Sequence, residues 1–205
     1  ADESGLQMPV KEEFQIDIPI SMKGQMYTEY NNDCVLRIFG RPFVKVAVRT
    51  EEDIREFFRA NPFRDGDQQR DTWDIEPVPT QDVAGKLNAS TVENALNSLN
   101  FVRYVAGIPA DVENSEKFEE LSQTGVAVLM QRGKEVGKEE LTHTPQKPAG
   151  VSEEFYQRGY IGTGSSNLGA GYGSLVDAVI TGWMDDGDSK NIADVGHRRW
   201  CLNPY

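Results

Sequence analysis

His143 and His197 are the only imidazoles in the chain, and between them lie Ser165-Ser166-Asn167 and Trp183-Met184-Asp185-Asp186. Two neutral imidazoles and one carboxylate form a donor set suited to a Zn²⁺-like ion with an open coordination position. Such an ion lowers the pKa of a bound water toward neutral and yields a hydroxide nucleophile. His143, His197 and Asp186 are the candidate ligands, with Asp186 bound directly or through water. The simpler alternative is a metal-free hydrogen-bonded cluster that shapes a polar cleft. Ser165 and Ser166 also invite a Ser-His-Asp hydrolase. The run Gly162-Thr163-Gly164-Ser165-Ser166-Asn167 lacks the Gly-x-Ser-x-Gly elbow, however, and a turn with backbone-bonded hydroxyls explains it more simply. Asp185, Asp186, Asp188 and Asn191 offer oxygens to Ca²⁺, but the EF-hand spacing is not met and a solvated acidic helix end is simpler. Arg198 and Arg199 could grip a carboxylate or phosphate bidentately, or form an internal salt bridge to Asp185 or Asp186.

These residues must be positioned by helices and turns. Ser90 with Glu93 predicts a capping box, Val92, Leu96, Leu99, Val102 and Val105 a helical stripe, and Gly107 its C-cap. Asn88-Ala89-Ser90 is also a glycosylation sequon, for which capping is the simpler account. Asn114 or Ser115 opens a second helix with Phe118, Leu121, Val128 and Leu129 inward and Gly133 at its end. Ser152 starts a short third helix, through about Arg158. Ser174 with Asp177 caps a fourth, whose apolar face is Leu175, Val176, Val179, Ile180 and Trp183. Arg198 to Leu202 reads as a strand. Cys201 in that strand is a buried small hydrophobe, and Trp183 and Trp200 are core anchors.

Upstream, residues 1–13 read as a loose tail. Phe14, Ile16, Ile18 and Ile20 alternate with polar residues and Pro19, predicting an edge strand. Cys34 to Phe39 and Phe43 to Val48 predict a hairpin about Gly40-Arg41-Pro42. Thr50 and Asp53 form a capping box for a helix carrying Ile54, Phe57 and Phe58, which Pro62 ends. Residues 14–61 thus form a small ββα-like unit. Residues 62–88, rich in Pro, Asp and Gln without periodicity, are a connector that wraps or links. Residues 89–205 form the C-terminal domain.

The formal net charge of −12 disfavours nucleic acid as a partner. No apolar stretch approaches the roughly 20 residues that cross a bilayer. The start Ala-Asp-Glu-Ser suits either a mature N-terminus left by cleavage or an arbitrary boundary. Cys34 and Cys201 permit one bridge or two free thiols, so cysteine usage does not fix the compartment.

Asn100-Phe101-Val102-Arg103, His143, Asn167-Leu168, Trp183-Met184-Asp185-Asp186 and Gly196-His197-Arg198 occur in an order that resembles the CAP superfamily. This is the family of cysteine-rich secretory proteins, antigen 5 and pathogenesis-related 1 proteins, and its bacterial extracellular branch is the nearest in pattern. The resemblance runs from Ser90 to Tyr205. It implies an α/β fold, a three-layer α-β-α sandwich, with a surface cleft holding two histidines and two acidic residues. Ser166 stands where the family has its first glutamate, Asp186 replaces the second, and Tyr205 falls where the family's last strands would follow. The expectation drawn from this is that strands within 34–48 supply sheet edges beside Arg198–Leu202. The cleft residues are His143, Ser166, Asn167, Asp186 and His197.

The resemblance further implies a secreted or cell-surface binding module. Its partner would be a small ligand, cell-wall material or another protein, and its cleft would hold a divalent metal (Zn²⁺, Mg²⁺ or Ca²⁺) or none. The alternative is a metal-dependent hydrolase of peptidase or esterase type using His143, His197 and Asp186. The missing glutamate at Ser166 favours the binding module.

Overall fold

The structure is a computed structural model that describes residues 13–15, 27–30, 34–37, 44–189 and 191–203. Four short strands come first: β1 (Glu13–Gln15), β2 (Tyr27–Tyr30), β3 (Cys34–Arg37) and β4 (Val44–Val46). They pair antiparallel in sequential order, and Cys34 faces Val46 in the β3–β4 register. The expected hairpin is therefore present, while its turn, the tail before Glu13 and residues 16–20 lie outside the described residues.

Helix α1 (Glu51–Ala60) begins on the predicted capping box, in which Thr50 and Asp53 bond each other reciprocally. Strands β5 (Trp73–Ile75) and β6 (Lys86–Leu87) form a second antiparallel ladder within the segment read as a connector. That segment wraps rather than links. The Arg64 N–H donates to Asn94, whose amide returns a bond to the Arg64 carbonyl, and the Leu175 N–H donates to Asp71.

Four helices and a final short one follow: α2 (Ala89–Val105), α3 (Glu116–Val136), α4 (Glu153–Gly164), α5 (Leu175–Asp177) and α6 (Gly196–Cys201). Helix α5 continues as a π-helical segment over Ala178–Trp183. Mixed α and β structure is thus present, but among the described residues no strand occurs after Leu87. Arg198–Leu202 does not extend as a strand: Gly196–Cys201 is helical, so β3 and β4 have no strand there to flank. Among the described residues no helix is long and apolar enough to cross a membrane.

Helices α3 and α4 make the most extensive helix contact. Glycine permits it. A Cβ on Gly162 would collide with the Leu121 carbonyl oxygen, and one on Gly159 would sit 2.5 Å from Val128 Cγ2. The run read as a glycine-rich turn is therefore the end of α4, kept bare so that α3 can approach. Ala127, Val128, Val151 and Phe155 form the core beside this contact. Phe118 was expected inward but is 65% exposed. Helix α3 also runs past Gly133, ending at Gly137, whose φ of +68° suits a residue without Cβ.

Helix α2 departs further from its pattern. Its N-cap is Asn88, not Ser90: the Asn88 side-chain oxygen accepts from the Ser90 N–H and hydroxyl, and its amide donates to Asp74. Its buried residues are Thr91, Asn94, Ser98 and Arg103 rather than the apolar stripe, and Val105 is exposed. The apolar stripe assumed one core on one side. Here α1, α5 and the π segment all contact α2, and the 62–72 loop is bonded to its polar side chains. The C-terminus does end as read, with Gly107 donating to Tyr104 O and Ile108 to Arg103 O in a Schellman arrangement.

Candidate functional site

The π segment controls where Asp186 lies. The Met184 N–H reaches back five residues to the Val179 carbonyl, which widens the helix and resets the angle of everything after it. Trp183 is anchored there by its indole N–H to the Leu168 carbonyl at 3.0 Å. Asp186 then turns into the left-handed region at φ +48°, a conformation aspartate tolerates better than most residues. Val195 enters the same region at φ +44°, where a β-branched side chain is strained. His197 follows two residues later, so both unusual backbone positions precede it.

Asp186 is 2% exposed as a residue, and its side chain has no exposed surface. One carboxylate oxygen accepts from His197 Nδ1 at 2.8 Å, and the other accepts from the Arg198 N–H at 3.2 Å. Val195, the N-cap of α6, provides no side-chain cap. Asp186 supplies one from across the loop, placing negative charge at the helix N-terminus. Burial pushes its carboxyl upward, but the bonds from His197 and Arg198 outweigh burial and hold it below the usual range. Since a carboxylate accepts here, Nδ1 carries a proton, and in the neutral form of the ring Nε2 is the acceptor.

His143 shows the same pattern in a different setting. Its ring is exposed, and Nδ1 lies 2.6 Å from the Thr163 carbonyl oxygen. A carbonyl can only accept, so Nδ1 again bears the proton and Nε2 is free. The Thr163 hydroxyl donates back to the His143 carbonyl at 3.2 Å.

Residues 163–167 connect the two histidines. Thr163 holds His143, and the Asn167 amide donates to the His197 carbonyl at 3.2 Å and approaches the Cys201 sulfur at 3.5 Å. Between them, Ser166 faces Ser122 with hydroxyls 3.4 Å apart. These two serines line a hollow of about 240 Å³ with Phe118, Leu121 and Ser165. Neither histidine lines it. Among the described residues, no three His, Cys, Asp or Glu side chains gather closely enough to hold a metal ion, so His143, His197 and Asp186 do not meet as one donor set.

Asn100 and Arg103 tie α2 to neighbouring backbone. Asn100 exchanges two hydrogen bonds with the backbone of Val112. Buried Arg103 donates to the carbonyls of Pro109, Cys201 and Asn203. It thereby ties the end of α2 to α6. Cys201 is a free, buried thiol raised by desolvation, though it sits in a helix and not in a strand. Arg198 makes no side-chain bridge to Asp185 or Asp186. It donates instead to the carbonyls of Met184 and Asp185. Trp200 is 71% exposed and anchors no core. Sequence reasoning missed the capping role of Asp186, which depends on a cap-poor Val195 before Gly196. It also missed Thr163 as a partner of His143.

In comparisons with known proteins, no family model, no curated protein and no solved structure matches this chain.

Proposed function

We propose that the chain is a secreted or cell-surface binding module, similar in its motif order to the bacterial CAP proteins, that engages a small ligand, cell-wall material or another protein. The observation that carries this reading is the 163–167 run. It is bonded to His143 at one end and to the backbone of His197 at the other, with Ser166 on a hollow between. An exposed His143, a partly exposed His197, serine hydroxyls and exposed Phe118 suit recognition of a hydroxyl- and amide-rich surface. Turnover has less support. Asp186 is fully enclosed and both its oxygens are engaged, so it serves as a positioning group rather than an accessible base or ligand. The three-layer sandwich remains part of the proposal.

Cosedimentation of the full chain with purified bacterial cell walls tests it. Retention should fall when Ser166→Trp fills the hollow and when His197→Ala removes the imidazole. Equal retention of all three proteins would sink this site as the binding surface.

A second reading, a metal-dependent hydrolase, draws on one feature. Both histidines present Nδ1–H to an oxygen, the outer hydrogen bond typical of metal-ligating imidazoles. Elemental analysis of tag-free protein for Zn²⁺, Mg²⁺ and Ca²⁺ addresses it. Stoichiometric metal, together with peptide or ester hydrolysis abolished by both His143→Ala and His197→Ala, would replace the binding module with the enzyme.

A further inference from the structure

A second concave site lies away from both histidines, where the chain enters α1 and leaves α2. It is an open groove of about 450 Å³ walled by Arg49, Phe57, Tyr104, Ile108, Pro109 and Asp111, among others. That volume falls in the range of small-molecule sites. One wall is a stack. The Arg49 guanidinium carbon lies 4.1 Å from the Tyr104 ring centre, and the Phe57 ring lies 4.1 Å from it at an interplanar angle of 14°. Two planar groups cannot share one face at that distance, so Tyr104 is held between them. The groove floor is fixed as well: the Ala47 N–H donates to the Gly107 carbonyl at 2.8 Å, and buried Arg103 holds the Pro109 carbonyl.

Arg49 is oriented but unpaired. Its guanidinium makes no hydrogen bond to any described residue, and its Nε is enclosed without a partner. The Asp53 carboxylate on α1 is occupied by the N–H and hydroxyl of Thr50. Among the described residues that line the groove, Asp111 is the only carboxylate, and it is exposed. A planar cation stacked on tyrosine, attracted by Asp53 only through space and hydrogen-bonded to no described carboxylate, is preorganised for bidentate pairing with a carboxylate. The aromatic and aliphatic walls call for an apolar body attached to it.

We propose that this groove binds a small amphiphile, an apolar body bearing one carboxylate, with the carboxylate on Arg49 and the body against Ile108, Pro109 and the edge of Tyr104. Asp111 disfavours a second negative charge on the ligand. This site is independent of the histidine surface.

The test is an NMR titration of the full chain with 4-phenylbutyrate, its neutral amide and 4-phenylbutylamine, followed on the amides of Ala47, Gly107, Ile108 and Ala110. The acid should give saturable shifts at these amides, with the neutral amide at least about tenfold weaker, the size of one lost charge-assisted pair. Arg49→Gln should bring the acid down to the affinity of the amide, and Ala110→Trp should abolish both. Equal affinities for all three probes, preference for the amine, or no saturable shift at these amides would each overturn the proposal. The comparison of probes uses the unaltered chain, so a variant that fails to fold leaves it decisive.

Discussion

At one histidine corner the imidazole is exposed and bonded to a main-chain carbonyl; at the other it is half-buried and bonded to a carboxylate with no exposed surface. The first ring is a passenger on helix packing. Thr163 is where it is because Gly159 and Gly162 let α4 lie against α3, and that contact would exist without His143. The second ring is part of what builds its surroundings. Asp186, His197 and the Arg198 N–H satisfy one another, and together they define how α6 begins. The two corners therefore put their stability in different places, and substitutions separate them.

The largest effect is expected at the first corner, but not from its histidine. Gly162→Ala puts a Cβ into the Leu121 carbonyl oxygen, a backbone obstacle that no rotamer change relieves. A loss of at least about 3 kcal/mol is expected, read from urea unfolding with unchanged m. His143 ring resonances should move with the displaced Thr163, while those of His197 stay in place. A fold that absorbs this alanine without cost would mean α3 and α4 are not held as closely as described.

The second corner should respond to its carboxylate. Asp186→Asn keeps a residue that accepts positive φ but removes the charge that binds His197 and caps α6. A loss of about 2 kcal/mol is expected, the scale for a buried hydrogen bond to a charged group. His197→Ala should cost about as much, and the double variant less than the sum, because both remove one interaction. Additive losses would show that Asp186 caps α6 without help from the ring.

The sequence makes some of this visible. Local chemistry was legible: the Thr50–Asp53 box, Ser152 and Ser174 as caps and the Gly107 stop all follow from short-range rules. Side-chain direction on α2 was not. Its pattern of Val and Leu reads as one buried face, yet the residues it buries are Thr91, Asn94, Ser98 and Arg103, which bond loops and carbonyls beyond the helix. The helix over 196–201 was unreadable for a related reason. Its cap comes from Asp186, ten residues before it, and Arg-Arg-Trp-Cys alone looks like a strand. Of the five motif segments, three are joined directly by hydrogen bonds, Asn167 to the His197 backbone, Leu168 to Trp183 and His197 to Asp186, while Arg103 reaches the end of α6.

Acid titration sharpens the comparison with a third carboxylate. Asp186 is held below its ordinary value, so its stabilising contribution is present above the unfolded carboxyl range and is lost as pH falls through its folded value. Asp71 behaves oppositely. Desolvation, offset in part by the Leu175 N–H and reinforced by Asp177, raises its carboxyl. Its contribution is present below the unfolded value and is lost as pH rises through the folded one. Asp186→Asn should therefore flatten the acid-side fall in stability, and Asp71→Asn should raise stability at neutral pH relative to acid. Melting temperatures across this range test both signs, and parallel pH profiles for the two variants would contradict them.

The smallest effect belongs to the exposed histidine. His143→Ala removes one bond to the carbonyl of buried Thr163, but the residue cut back is itself exposed, so its removal opens that oxygen to water. The replacement cost is then that of a surface substitution, about 0.5 kcal/mol or less, against the larger loss expected for His197→Ala. The asymmetry matters for function. A residue that contributes little to folding can be removed cleanly, so any loss of partner retention in His143→Ala reports on recognition and not on stability. A stability loss equal to that of His197→Ala would make both rings structural, and the contrast between the corners would disappear.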